Sequence, residues 1–218
     1  KANVDRFACI TDFQRRKLIE AGYDEGKITV IPNSADVPDS YIPVEGDYVA
    51  YIGRLSYEKG YDLLLEVARR NPSISFRFAG ARREQSGADA PKNVSFEGYL
   101  HKDELADFIR SARIVVMPSR CYEGFPMAIL EAAQYGKPTI GPDHGGFTEI
   151  IGKGGDAIGV LFRPGDVDDM EAKVVELWNN PPEVSALGKK AFEKLQDEYS
   201  SEVIYQKWES LFNELLVR

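Results

Sequence analysis

Ile114-Val115-Val116-Met117 runs into Pro118-Ser119-Arg120-Cys121-Tyr122-Glu123-Gly124-Phe125, and then into Pro126-Met127-Ala128-Ile129-Leu130-Glu131. The first four residues are apolar at every position. An extended chain turns alternate side chains to opposite faces, so such a run suits a strand covered on both sides. Pro118 ends it. Pro126 suits the first position of a helix, because its missing N–H would have had no partner there and its φ is already helical. The apolar residues that follow continue that helix to Tyr135, and Gly136 closes it. Strand, loop and helix in this order are half of a βαβ unit.

The pattern repeats on both sides. Tyr48–Ile52 is a strand ending in Gly53, and Tyr61–Arg70 a helix with Leu63, Leu64, Val67 and Ala68 inward. Ser73–Gly80 is a strand with Ile74, Phe76 and Phe78 on one face, and Val94–Phe96 a short strand before Gly98. Lys102–Ala112 is a helix. Beyond Gly136 come a strand at Pro138–Gly141, a short helix at Phe147–Ile151, a strand at Val160–Phe162 and helices at Asp166–Trp178, Pro182–Tyr199 and Ser201–Val217. Ahead of this block stand a strand at Phe7–Thr11, a helix at Asp12–Gly22 with Asp12 as its cap, and a strand at Lys27–Pro32. The proline-containing segment 34–47 between them is poor in large apolar residues and looks like a linker. Strands alternating with helices imply an α/β fold, a Rossmann-like parallel sheet with helices on both faces. In such sheets ligands bind beyond the carboxyl ends of the strands.

Composition narrows the function. Among 218 residues, 27 Lys and Arg face 35 Asp and Glu, a formal net charge of -8. That excludes a generally basic nucleic-acid binder. Hydrophobic residues at 43% and charged residues at 28% are ordinary for a soluble globular fold. The longest apolar runs are too short to span a bilayer. Two cysteines build no disulfide framework and make a reducing cytoplasm the default, and with the two histidines they show no zinc-ligand spacing. The chain opens at Lys1 without an initiator Met, so a fragment is expected.

Three strand-end loops carry chemistry. In Gly53–Gly60, Gly53 permits a close approach, and Arg54 and Lys59 place two cations at the ligand edge of an acidic chain. An anion such as a diphosphate fits them; the plainer alternative is a pair of solvated surface cations. In the second loop the cap position expected at Phe125 offers no side-chain oxygen. The amides of Met127 and Ala128 are then free for an anion, with the helix dipole behind them. Gly124 lets a ligand come close. Glu131, among apolar neighbours, needs a partner or exposure, and helical side chains lean back toward the N-terminus. Two carboxylates would repel a diphosphate, so Glu123 and Glu131 make sense gripping hydroxyls; the plainer alternative is a capping Glu123 and a solvent-facing Glu131. The third loop, Gly141–Glu149, is a glycine-rich turn whose amides suit a phosphate or a sugar hydroxyl, though a positive-φ turn explains its glycines equally well. His144 within it reads as a turn residue. Gly152–Ala157 matches the letters of a dinucleotide fingerprint but opens no helix after a core strand, and Asp166 reads as a helix cap.

Together these loops resemble glycosyltransferase family 4, retaining enzymes of the GT-B fold, from about Phe7 to the C-terminus. The family's Gly-Arg-Leu…Lys-Gly element is similar to Gly53, Arg54, Leu55, Lys59 and Gly60. Its Glu-x7-Glu motif resembles Glu123 to Glu131, followed by Gly136-Lys137-Pro138 and Ile140. The Gly-Gly…Glu-Ile turn resembles Gly145–Ile150, and Val30–Asn33 resembles the family's Val-Ile-Pro-Asn. The resemblance implies roles. Arg54 and Lys59 would hold the donor's diphosphate; Glu123, with the backbone of Gly124 and Phe125, the hydroxyls of the transferred sugar; Glu131 the ribose. The base would lie near Gly80–Arg82 and Tyr99–Leu100, on backbone contacts. No metal and no cofactor is required, and the donor is a UDP- or GDP-linked sugar.

The chain departs from the family pattern at Ser34, where glycine is usual. The family also has two Rossmann-like domains, and here only the end of the first is expected. On this reading residues 1–35 are a remnant of the N-terminal, acceptor-binding domain and its linker. Residues 36–199 are the donor-binding domain, and 200–218 a helix that would cross back to the missing domain. The partners implied are a nucleotide-sugar, that missing domain and an unspecified acceptor (a glycan, lipid or small molecule), with no nucleic acid. The expected place is the cytoplasm, or the periphery of the inner membrane face. The isolated fragment is expected to bind but to transfer little. Two other readings stand beside this one: another GT-B enzyme such as a nucleotide-sugar epimerase or a phosphorylase, and a non-catalytic binding module of the same fold.

Overall fold

Phe7–Cys9 (β1), Asp12–Glu20 (α1) and Ile28–Val30 (β2) come first, with β1 and β2 pairing in parallel as a separate two-stranded sheet. The computed structural model describes residues 3–41, 45–81 and 90–217. Thr11, not Asp12, caps α1: its hydroxyl accepts from the Gln14 N–H at 3.3 Å. A side chain can reach back to the amides only from the non-helical position, and Asp12 is already one residue inside the helix.

The main sheet comprises Val49–Ile52 (β3), Phe76–Ala79 (β4), Val94–Gly98 (β5), Ile114–Val116 (β6), Thr139–Pro142 (β7) and Gly159–Phe162 (β8). Its order is β5-β4-β3-β6-β7-β8, and the recorded pairs are parallel. Tyr61–Arg70 (α2), Lys102–Ser111 (α3), Met127–Gln134 (α4), Gly145–Ile151 (α5), Val167–Trp178 (α6) and Pro181–Tyr199 (α7) connect and cover it. The alternation of an extended chain sorts the core. Val49 and Tyr51 pack with Leu64 of α2 and Met170 of α6, while Tyr48 and Ala50 pack with Phe108 of α3 and Ala132 of α4. Ile114 and Val116 join the first group and Val115 the second, so β6 is buried on both faces. At about 25 cal/mol per Å² of buried apolar surface, these two layers supply most of the drive to fold.

Element boundaries differ from the sequence expectation where turns intervene. β4 begins at Phe76 rather than Ser73, because the Ile74 N–H is taken by the Asn71 carbonyl at 3.1 Å in a turn. The helix after the second loop begins at Met127 rather than Pro126. Pro126 holds ψ at 92°, an extended value, and serves as the cap. Like Phe125, it has no side-chain oxygen to accept from the first-turn amides. Ser201–Leu216 (α8) lies against the β1–β2 unit through Ile204 and Leu211 on Ile31, with an ion pair from Arg6 to Glu214.

Candidate functional site

The connection from β3 leads to β4 on one side, and the connection from β6 leads to β7 on the other. Where neighbouring strands diverge in this way their terminal loops part, and a crevice opens at the carboxyl edge. The loops that part are Gly53–Gly60 and Met117–Pro126, the two singled out from the sequence.

They are tied together below the crevice. Gly60 has φ of +70°, and a Cβ built there would stand 1.8 Å from the Pro118 carbonyl oxygen. Only glycine lets the two loops close to this distance. The Arg120 amide donates to the Glu58 carbonyl at 2.9 Å. The Arg120 guanidinium donates to both Asp62 carboxylate oxygens at 2.7 Å and lies 4.0 Å from the centre of the Tyr57 ring. This fork geometry is specific to arginine, and the Asp62 hydrogen bonds raise its pKa further. Buried Tyr51 donates to the Arg54 carbonyl at 2.7 Å and fixes the start of the first loop; burial pushes its own pKa up.

A cavity of about 260 Å³ lies between the loops, lined by Gly53, Lys59, Ser119, Glu123, Phe125, Met127 and Ala128 among others. The Ile129 N–H takes the Pro126 carbonyl at 3.0 Å. The Met127 and Ala128 amides have no acceptor among the described residues. Here a bare helix start and the Lys59 ammonium share one cavity. Glu123 enters from the other side. It pairs with Lys59 and accepts from the Ser119 hydroxyl at 3.1 Å, while its carbonyl accepts from the Gly146 N–H at 3.0 Å. The third loop therefore acts first as a prop, since the Gly146 amide is committed to the protein's own backbone. His144 is part of the same prop: Nε2 stands 3.2 Å from the Ser119 carbonyl, which can only accept, so Nε2 carries the proton.

A second cavity, of about 770 Å³, lies across Met127, which lines both. Tyr99, Leu100 and Glu131 line it, with Arg110 and Gln134. Glu131 is half-buried and has no hydrogen-bond or ion-pair partner among the described residues; burial alone raises its pKa. Gly80 sits at the foot of the crevice, where a Cβ would stand 1.8 Å from the Gly53 carbonyl oxygen, so its role in this structure is to let two strand ends pack.

Most of the site residues expected from the sequence thus converge, in two adjoining cavities. Gly80, Gly124 and Arg54 line neither of them. The exposed side chain of Arg54 stands 3.6 Å from Glu58. Of the two cations expected there, Lys59 lines the cavity with the Met127 and Ala128 amides and Arg54 does not. Nothing shields that side chain, and a nearby exposed carboxylate captures it. Arg82 lies outside the described residues. The positions missed are Ser119, Arg120, Tyr51 and two that join the N-terminal piece to the rest, Glu149 of α5 and Gln14 of α1. Glu149 accepts from the Asp12 and Phe13 amides at 2.8 and 2.9 Å. Gln14 Nε2 would stand 2.5 Å from a Cβ on Gly124, so α1 packs closely on the second loop there. Among the described residues no group of three or more His, Cys, Asp or Glu stands together as a metal site, and no helix is long and apolar enough to cross a membrane.

A bare helix start at the switch point of a Rossmann-like unit is where ligands bind in folds of this kind. Residues 34–194 match the glycosyl transferases group 1 family, and the chain belongs to that family. It is 27% identical over 94% of its length to poly(ribitol-phosphate) alpha-N-acetylglucosaminyltransferase of Staphylococcus aureus, covering 43% of that protein. Its fold is that of GT-B glycosyltransferases. Sucrose-phosphate synthase of Thermosynechococcus elongatus matches 99% of the chain at 21% identity with a TM-score of 0.84, the match covering 59% of that enzyme. HepE of Anabaena, solved with UDP and glucose, matches 96% at 18% identity and 0.84, covering 63% of that protein. The chain spans about half the length, or less, of the curated relatives it matches.

Proposed function

We propose that this chain is the donor-binding half of a retaining glycosyltransferase, taking a sugar from a nucleoside-diphosphate sugar to an acceptor hydroxyl. The observation that carries it is the shared cavity of Lys59 and the unclaimed Met127 and Ala128 amides. A diphosphate seated there meets a cation and a helix dipole at once. The same groups would stabilise the charge that builds on the diphosphate as the bond to the sugar breaks, which is the work a metal ion does elsewhere. Arg54 would leave Glu58 to join them, at little cost, since an exposed pair at 3.6 Å contributes little. Glu123, with the Gly124 and Phe125 backbone, would take the sugar's hydroxyls. Across Met127, Glu131 would take those of the ribose, with the base beside Tyr99 and Leu100.

The donor would be a UDP- or GDP-linked sugar, and HepE, a neighbour in fold, was solved with UDP. Residues 1–35 and α8 would belong with an acceptor-binding domain absent from this chain, so the chain alone would bind donor and transfer little. The test is a thermal-shift panel of UDP-, GDP-, ADP- and dTDP-linked sugars, because a ligand that binds only the folded state raises stability by mass action. One member of the panel should raise Tm, and Lys59→Ala should abolish the rise. A panel with no response at millimolar concentration would refute the proposal.

A further inference from the structure

Lys59 is the one cation among the described residues lining the smaller cavity, and it is already engaged by Glu123. The carboxylate is held firmly. Ser119, itself buried, donates to the oxygen that meets Lys59, and the Gly146 amide fixes the Glu123 carbonyl. Lys59 reaches it on a flexible four-carbon stem. The pair is largely withdrawn from water, with side chains 27% and 19% exposed, so screening there is weak.

A diphosphate entering this cavity must take Lys59 from Glu123 and then lie beside a freed carboxylate. How much that costs depends on what the terminal phosphate carries. In a nucleotide-sugar the terminal oxygen is esterified, and sugar hydroxyls stand between phosphate and carboxylate as donors. In the spent nucleoside diphosphate the same phosphate bears a further negative charge near neutral pH and has no such donors. A carboxylate in this position favours the first and repels the second.

We infer that Glu123 competes with the diphosphate for Lys59, and so makes the site select intact donor over spent nucleotide. This rests on the nucleotide-sugar reading above and adds a specificity role to Glu123 that does not depend on chemistry at the sugar. Its signature is an opposite effect on two ligands, which a loss of structure would not produce.

Calorimetry with UDP and with UDP-glucose, at one pH and one salt concentration, tests it on the wild-type chain, Glu123→Gln and Lys59→Gln. The amide neither holds Lys59 as an ion nor repels phosphate. Glu123→Gln should tighten UDP at least tenfold, about 1.4 kcal/mol, and should not tighten UDP-glucose. Lys59→Gln should weaken both. Glu123→Asp keeps the charge but withdraws it by one methylene, and should give a smaller shift in the same direction; it carries the test if the glutamine variant does not fold. The inference is overturned if folded Glu123→Gln or Glu123→Asp binds UDP no tighter than wild type, or if UDP and UDP-glucose shift together. If wild type binds neither UDP nor GDP nor their glucose conjugates at millimolar concentration, the donor-binding reading itself has failed, and this inference falls with it.

Discussion

Replacing Glu131 with Gln should make the protein more stable and a poorer nucleotide binder. Glu131 sits on α4 among Ile129, Leu130, Ala132 and Ala133, all buried, and has no partner among the described residues. Burial raises its pKa above the usual carboxylate value. The folded state therefore holds the proton more tightly than the unfolded chain does. Between the unfolded and folded pKa values the native protein binds more protons, so stability falls as pH rises through that window. Once ionised, the folded protein carries a partly desolvated charge with no partner among the described residues to offset it. Gln has the same shape without that charge, and should gain about 1 kcal/mol, from the cost of an unsatisfied buried group discounted for the open cavity beside it. For a chain of this size that is roughly 2–4 °C in Tm. The pH slope between mildly acid and neutral pH should flatten as well. If Glu131 accepts from the ribose hydroxyls, the amide loses one charged acceptor, worth about 1.5–3 kcal/mol of nucleotide affinity. Inorganic pyrophosphate, which has no ribose, should bind both proteins equally. Scanning calorimetry from pH 4 to 8, with UDP and pyrophosphate titrations, reads all three quantities. A variant that melts lower than wild type, or one that binds UDP unchanged, would refute the argument.

Three further changes have defined outcomes. Gly60→Ala should cost about 2 kcal/mol or more, because φ of +70° is strained for any side chain and the new Cβ would stand 1.8 Å from the Pro118 carbonyl oxygen; chemical denaturation measures the loss, and UDP affinity should fall with it as the crevice opens. Glu149→Ala removes the acceptor for the Asp12 and Phe13 amides and should speed their hydrogen exchange, with a stability cost of about 0.5–2 kcal/mol; unchanged exchange at these two amides would show that α1 is held without it. Lys137 is 3% exposed, and burial pushes its pKa down to about 8. In this case the unfolded chain binds the extra proton, so stability relative to Lys137→Met should rise with pH above about 8, at no more than about 1.4 kcal/mol per pH unit, and level off near the unfolded value.

The sheet could be read from the chain because its strands are short, apolar and punctuated. Ile114–Val116 is a short β-branched run apolar at every position and stopped by Pro118, and helices such as Tyr61–Arg70 keep one buried stripe, so length and punctuation together with period separate the two element types. The switch-point rule then placed the site at loops whose glycines and cations were visible beforehand. What stayed hidden is long-range pairing. Lys59 meets Glu123, 64 positions away, and Arg120 meets Asp62, 58 positions away. No local pattern encodes either partner. Glu149 belonged to a recognisable turn, yet its hold on α1 depends on a packing that the linker between them conceals. The pairing of Arg54 with Glu58 was hidden for the complementary reason: a sequence shows a charge at a loop but not which neighbour stands beside it.

The two carboxylates also give the site a direction. Glu123 lines the smaller cavity with the α4 N-terminus, and Glu131 lines the larger one across Met127. Among the described residues, the smaller cavity combines the bare Met127 and Ala128 N–H groups with Lys59. Phosphate displaced onto Glu131 in the larger cavity would meet a carboxylate, though Lys102 and Arg110 line that cavity too, and at 4 Å two like charges cost about 4 kcal/mol for an effective dielectric near 20. Hydroxyl-bearing groups face no such penalty and can donate to both acids. On the proposed reading, a ligand with a charged centre and hydroxylated ends would be held in one register, with its ribose on the Glu131 side and its sugar on the Glu123 side. Reversing the charge at Glu131 should loosen that register while leaving phosphate binding at the Met127 and Ala128 amides intact. The sensitive variant is Glu131→Lys, which should let pyrophosphate bind at a second position in the larger cavity, raising the stoichiometry from one to two. A stoichiometry that stays at one would mean that the shape of the cavity, and not the carboxylate, confines the phosphate.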